Sequence, residues 1–321
     1  MNVTILAFNI ALIIISIGFL WKGSEWLVTS SSKLAHSWGV SDLVIGLTVI
    51  AIGTSAPEFA VTISAVIKGN ADISISNVIG SNIFNLGFIL GGTATVHAIT
   101  TSPKLVYRDG FFLIAVTCLL GFFLFDYHLE GSLMALSRWE GIILLVILVA
   151  YMLHLFIKKE ELEEEEIPHG KVTFFDVILL LLGFAGVVGG GHLLVDASTI
   201  VAREFGVSDW VIGVTIVAAG TSMPEFATSI MALIKGKHGM AIGNLIGSDL
   251  FNLLGVLGVA GVMKESLVVS EEAQSSIIML ILMMVLVVIF MRTSWKITRW
   301  QGATLVIINL VRWFIDFTGK G

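Results

Sequence analysis

Charge is what this 321-residue sequence has least of: 13% of its residues are Asp, Glu, Lys or Arg, against roughly 25% in a soluble domain. It also has one cysteine, four prolines and a net charge of -6. A single thiol makes no internal disulfide and no thiolate metal site, so Cys118 reads as a small residue facing lipid or core. The shortage of polar surface excludes a soluble protein, and with it a nucleic-acid-binding one. No nucleophile–base pair and no cofactor motif is present, so neither an enzyme nor a bound cofactor is expected. Hydrophobic residues, 56% of the chain, take up the space. The expected fold class is an all-α polytopic membrane protein, with the lipid bilayer as its principal partner. The apolar N-terminus lacks a basic stretch and a small-residue cleavage site, and reads as a first membrane helix rather than a signal peptide.

A membrane helix needs roughly 20 mostly apolar residues. On that basis ten spans are expected, at about 3–32, 40–67, 73–97, 107–126, 133–157, 172–201, 207–234, 240–262, 273–292 and 299–317. Lys33, Lys104, Arg108, Lys158, Lys159, Lys171 and their like gather in the loops that an outside N-terminus would leave in the cytoplasm. The positive-inside tendency therefore places both termini outside, in the plasma membrane. Trp21, Trp38, Trp139, Trp210, Trp295 and Trp300 fall near proposed span ends, where amphipathic rings settle. The stretch KKEELEEEEIPHG, within residues 158–171, reads as a solvated cytoplasmic linker between halves 1–157 and 172–321. It lacks the spaced ligands and turn glycine of a Ca²⁺-binding loop.

The two halves repeat each other. Residues 39–96 align without a gap on 206–263, at a constant offset of 167. GVSDLVIGLTVIAIGTSAPEFAVTISAVIKG answers to GVSDWVIGVTIVAAGTSMPEFATSIMALIKG, and NVIGSNIFNL (77–86) to NLIGSDLFNL (244–253). Five spans precede the second copy's first span, and five is odd, so the copies must cross the membrane in opposite senses. The architecture expected is two inverted five-helix repeats, the arrangement by which many secondary transporters alternate access to a midplane site.

The polar residues kept inside apolar helices carry the chemistry. Pro57 and Pro224 lie within spans, each in G-T-S-x-P-E, and a proline there removes a helical hydrogen bond and frees carbonyls that can face a cation. Glu58 and Glu225 follow them, with no basic residue at comparable depth. A carboxylate in a membrane is costly and marks a functional site by default. Two together need a cation or proton to neutralise them. Helical spacing adds Ala51, Thr54 and Ser55 to Glu58 on one stripe, and Ala218, Thr221 and Ser222 to Glu225 on its twin. Ser81 with Asn85, and Ser248 with Asn252, are i, i+4 pairs on neighbouring helices. Every donor is oxygen, which suits Ca²⁺, Na⁺ or Mg²⁺ rather than zinc or copper, and flexible oxygens favour Ca²⁺ over Mg²⁺. An empty site would bury two anions and resist reorientation, so a loaded site alone moves, giving exchange rather than leak.

With both signatures, G-T-S-x-P-E and G-S-x-x-x-N, present twice and in register, the sequence closely resembles the cation/calcium exchanger superfamily, in particular prokaryotic sodium/calcium exchangers. The resemblance covers essentially the whole chain. It implies antiport of external Na⁺ for Ca²⁺, with long, tilted first and sixth helices moving against a rigid core; a single copy is expected to be the functional unit. It implies that Glu58, Glu225, Thr54 and Thr221 bind Ca²⁺. It assigns Na⁺ to Ala51, Ser55, Ser81, Ala218, Ser222 and Ser248, the alanines through backbone carbonyls, and makes Asn85 and Asn252 the central polar pair. Some members, including potassium-dependent ones, carry aspartate where this chain has Asn252, which argues against K⁺ cotransport. The alternatives are a H⁺/Ca²⁺ exchanger, whose usual signature differs, and a cation channel, which would need a continuous polar path. Asp249, standing where the first copy has Asn82, is expected at a helix interface, as are His192 and Asp196. Lys22 is expected to pair with Glu25.

Overall fold

The computed structural model describes residues 3–125, 134–158, 172–206, 218–269 and 272–318. The acidic linker from 159 and the first part of the expected span 207–234 lie outside them. The described chain is almost entirely helical: α1 (Val3–Trp38), α2 (Asp42–Thr54), α3 (Ala56–Ile67), α4 (Ala71–Val96), α5 (Leu105–Leu124), α6 (Arg138–Ile157), α7 (Phe174–Glu204), α8 (Met223–Ile234), α9 (His238–Met263), α10 (Ala273–Trp295) and α11 (Arg299–Thr318). Seven of these are long and apolar enough to cross a membrane, or eight if α2 and α3, bent by 47° at their junction, form one span. The protein is thus a helical membrane protein with seven to eight candidate spans among the described residues. α8 is short, and α11 carries Asn309 and Arg312 within its length.

Helices crossing lipid turn their largest apolar residues outward, because hydrocarbon solvates them as well as a core would. Ile14 of α1, Phe122 of α5, Val146 of α6 and Leu181 of α7 are each 61–67% exposed. Cys118 is exposed on α5. The interior is where serine, threonine and asparagine collect.

The chain divides into two compact units, residues 1–57 with 159–244, and residues 58–158 with 245–321. Each draws on both sequence halves. In the first, α1 packs along α7 through glycine: a Cβ on Gly183 would lie 2.7 Å from the Leu27 nitrogen, and one on Gly23 2.9 Å from the Gly186 carbonyl carbon. Small residues let backbones approach where lipid supplies no hydrophobic drive. α1 has 36 residues and α7 has 31, the length expected of the first and sixth helices. The Lys33 ammonium meets Asp176 across this pair at 2.6 Å, and Asp176 also caps α7 by accepting from Thr173.

In the second unit, contacts recur in repeat-related pairs. α4 meets α11 through Gly91 and Gly302, while α9 meets α6 through Gly258 and Gly141. Two antiparallel ladders, unforeseen in the sequence, follow suit: β1 (Ile99–Thr100) pairs with β4 (Lys296–Ile297), and β2 (Met134–Ser137) with β3 (Ser266–Val269). Among the described residues four helices contain a π turn, at Gly46–Ile50, Asn85–Leu90, Leu105–Gly110 and Phe251–Val256. The second and fourth occupy nearly equivalent places in the two repeats. π turns often mark functional sites.

Candidate functional site

In the first unit the helical stripe expected through Ala51, Thr54, Ser55 and Glu58 is interrupted. Pro57 carries no N–H, so the helix cannot run on, and Ser55 takes φ −80°, ψ 10°, a conformation between α and β. Ser222, its counterpart before Pro224, takes φ −90°, ψ 7°. The break turns Ser55 inward: its Oγ donates to Glu225 Oε1 at 2.9 Å, and both residues are fully buried. The Thr54 hydroxyl, also fully buried, lies 3.2 Å from Asn244 Oδ1 and 3.4 Å from the Ala51 carbonyl oxygen. That carbonyl also accepts the Ser55 N–H at 3.0 Å, so the group deprived of its helical partner by Pro57 is the carbonyl of Gly53, four residues earlier. Ser222 is fully buried and Thr221 half-buried. Ala218 opens a single turn, Ala218–Gly220, and its side chain lies outside the described set. Gly53 and Gly220 lean on α7, against Phe184 and Val195, where no Cβ would fit.

An asparagine missed in the sequence reading fixes this corner. Asn244 Nδ2 donates to the Glu225 backbone oxygen at 3.4 Å and to Ser229 Oγ at 3.1 Å. In the second unit Asn77, its repeat counterpart, donates to the Glu58 backbone oxygen at 3.3 Å and to Thr62 Oγ1 at 3.0 Å. Each glutamate thus lies in the first turn of a helix that an asparagine amide, buried at Asn244 and half-buried at Asn77, ties to the next one. The signal was available: both asparagines stand at matching places in the quoted motifs.

Glu58 is fully buried in the second unit. There α4 and α9 bring together Ser81, Asn82 and Asn85 with Ser248, Asp249 and Asn252, none more than 4% exposed. Asn85 Nδ2 donates to Asp249 Oδ1 at 3.0 Å, and Asn252 Nδ2 to Asn82 Oδ1 at 3.1 Å. These are the same contact made twice, since 82 answers to 249 and 85 to 252. Asn82 Nδ2 donates in turn to the Asp249 backbone oxygen at 3.1 Å. The side-chain carbonyl oxygens of Asn85 and Asn252 are buried with no hydrogen-bond partner, an arrangement that costs free energy unless some other positive group meets them.

Asp249 is at a helix interface, as expected, and the contact it makes there runs to Asn85 itself. His192 and Asp196 correct the reading: both are exposed, on the face of α7 opposite the glycine stripe, at the ~100° per residue of an α-helix. Lys22 pairs with Glu25 at 2.6 Å. Among the described residues no three His, Cys, Asp or Glu side chains gather to hold a metal. The polar groups gathered are instead hydroxyls, amides, carbonyls and single carboxylates, the oxygen chemistry that suits hard cations.

A multi-span helical protein whose two halves bury the same carboxylate behind the same broken helix is a membrane transporter of duplicated design. A family model described as "Sodium/calcium exchanger protein" matches residues 8–157 and 175–315, and the chain belongs to that family. It is 31% identical over 338 residues to the sodium/calcium exchanger MaX1 of Methanosarcina acetivorans, covering 93% of this chain and 95% of that one. It is 33% identical over 294 residues to the uncharacterized membrane protein MJ0091 of Methanocaldococcus jannaschii, covering 91% and 92%. A solved structure of the sodium-calcium exchanger NCX_Mj, soaked with zero Na⁺ and Ca²⁺, superposes with a TM-score of 0.82 at 30% identity, over 95% of this chain and 98% of that one.

Proposed function

We propose that the protein exchanges Na⁺ for Ca²⁺ across the plasma membrane by alternating access, as a single copy with ten spans in two inverted five-helix repeats and both termini outside. Glu58, Glu225, Thr54 and Thr221 bind Ca²⁺. Ala51, Ser55, Ser81, Ala218, Ser222 and Ser248 hold Na⁺, and Asn85 and Asn252 close the set. Ca²⁺ and Na⁺ are cargo, and no cofactor takes part.

The observation that carries this reading is the duplicated break: a non-helical serine stands three residues before a fully buried glutamate in each repeat. Burying a carboxylate away from water is tolerated only with a compensating charge. Transported cations supply it in the loaded state, and the empty state, with two buried carboxylates and no cation, is slow to reorient. Backbone carbonyls, hydroxyls and amides suit Na⁺, which needs several neutral oxygens, and the same oxygens with both carboxylates suit Ca²⁺.

The test is uptake of radioactive Ca²⁺ into proteoliposomes of the purified protein. An outward Na⁺ gradient should drive saturable uptake, and K⁺ loading should not. Uptake driven by a proton gradient and indifferent to Na⁺ would replace this reading with H⁺/Ca²⁺ exchange.

A further inference from the structure

We propose that Asp249 is a positioning residue whose hydrogen bonds orient both central asparagines, turning their carbonyl oxygens toward the transported cation. The proposal rests on the reading of Asn85 and Asn252 as ligands. An asparagine amide has two ends, and either can point into a site. A carboxylate oxygen accepts and does not donate, so Asp249 Oδ1 can be met only by the NH₂ end of Asn85, as it is at 3.0 Å. The Asn85 carbonyl oxygen is then turned away, and it is the atom left buried with no hydrogen-bond partner.

The second asparagine is set by the same residue at one remove. The Asp249 backbone oxygen accepts from Asn82 Nδ2 at 3.1 Å, which commits the Asn82 carbonyl oxygen to the other side. That oxygen accepts from Asn252 Nδ2 at 3.1 Å, and the Asn252 carbonyl oxygen is again left without a partner. One residue therefore starts two runs of bonds, and each ends at the side-chain carbonyl oxygen of a central asparagine. The first-copy counterpart, Asn82, could not start such a chain, because an amide facing an amide permits both to flip together. A bond to a carboxylate is also about twice as strong as one between neutral groups.

The experiment compares Asp249→Asn, Asn85→Ala and the double variant, reading Ca²⁺ KM and Vmax in Na⁺-loaded proteoliposomes and direct Ca²⁺ binding by calorimetry on the purified protein. Asp249→Asn is nearly isosteric, and thermal melting confirms its fold. Loss of a residue supporting a metal ligand typically weakens metal affinity about 10- to 100-fold. Asp249→Asn should raise KM and the dissociation constant by about tenfold or more, with Vmax little changed, and the double variant should be no worse than Asn85→Ala. An Asp249→Asn variant with wild-type Ca²⁺ affinity, beside an impaired Asn85→Ala, would overturn the positioning role and leave the ligand reading intact. Effects that multiply in the double variant would also overturn it, because Asp249 would then act elsewhere. An Asn85→Ala variant of wild-type affinity would overturn both.

Discussion

Replacing Glu225 by glutamine isolates charge from shape. The side chain is fully buried, its Oε1 accepts from Ser55 Oγ at 2.9 Å, and its backbone oxygen is held by Asn244. Glutamine keeps the volume and an acceptor for Ser55, so the helix break and its hydrogen bonds survive. Only the negative charge goes. Two unit charges ~4 Å apart interact by about 4 kcal/mol at an effective dielectric constant of ~20. A divalent ion doubles that figure, so the variant loses about 4 kcal/mol more of its hold on Ca²⁺ than on Na⁺. At 1.4 kcal/mol per decade, this is a shift in Ca²⁺ over Na⁺ preference of about a thousandfold. The assay is Ca²⁺ uptake over a range of Ca²⁺ concentrations under a fixed Na⁺ gradient, with thermal melting in detergent as the fold control. A variant that melts like wild type and keeps its Ca²⁺ KM within about tenfold would refute the charge argument.

Asn77→Ala and Asn244→Ala each remove two side-chain bonds, part-buried at Asn77 and buried at Asn244, and at about 0.6 kcal/mol for an average bond inside a membrane each should destabilise by about 1–2 kcal/mol in detergent melting. Asn244→Ala alone should also weaken transport, since Thr54 leans on that side chain; equal transport by the two variants would contradict this. Gly183→Ala sets a methyl against the Leu27 backbone and should cost about 1–3 kcal/mol by over-packing, whereas Gly189→Ala, with nothing within 4 Å, should be neutral or stabilising. Asp176→Ala removes a helix cap together with an ion pair and should lower the melting temperature more than Lys33→Ala, because caps are worth about 1 kcal/mol and an ion pair to a half-exposed lysine is worth less.

Most of the helices, the repeat and the broken motif were legible in the sequence because each rests on a local signal: a long apolar run, an identical string at constant offset, a proline inside a span. Ser55 was singled out in the sequence, but the stripe it was placed on is cut at that residue, and it is the cut that points its hydroxyl at Glu225. Asn77 and Asn244 were passed over because a clamp between residues 58 and 77, or 225 and 244, has no periodicity to betray it. The π turns have no propensity signature, and the two ladders are too short to show alternation. His192 and Asp196 were misplaced because charge inside an apolar run suggests an interior partner, while the glycines of α7 decide which face is interior.

The paired π turns also date themselves. A π turn accommodates one more residue than the α-helix around it. Had either turn arisen after the halves separated, one copy would carry an extra residue and the alignment would need a gap between 39 and 96. It needs none, and both copies widen within a residue of the same place, at Asn85–Leu90 and Phe251–Val256. Both halves therefore mount the asparagine of the second signature on a widened helix. Duplication supplied a second copy of a finished part, and the exchange of Asn82 for Asp249 records how the two have since drifted apart.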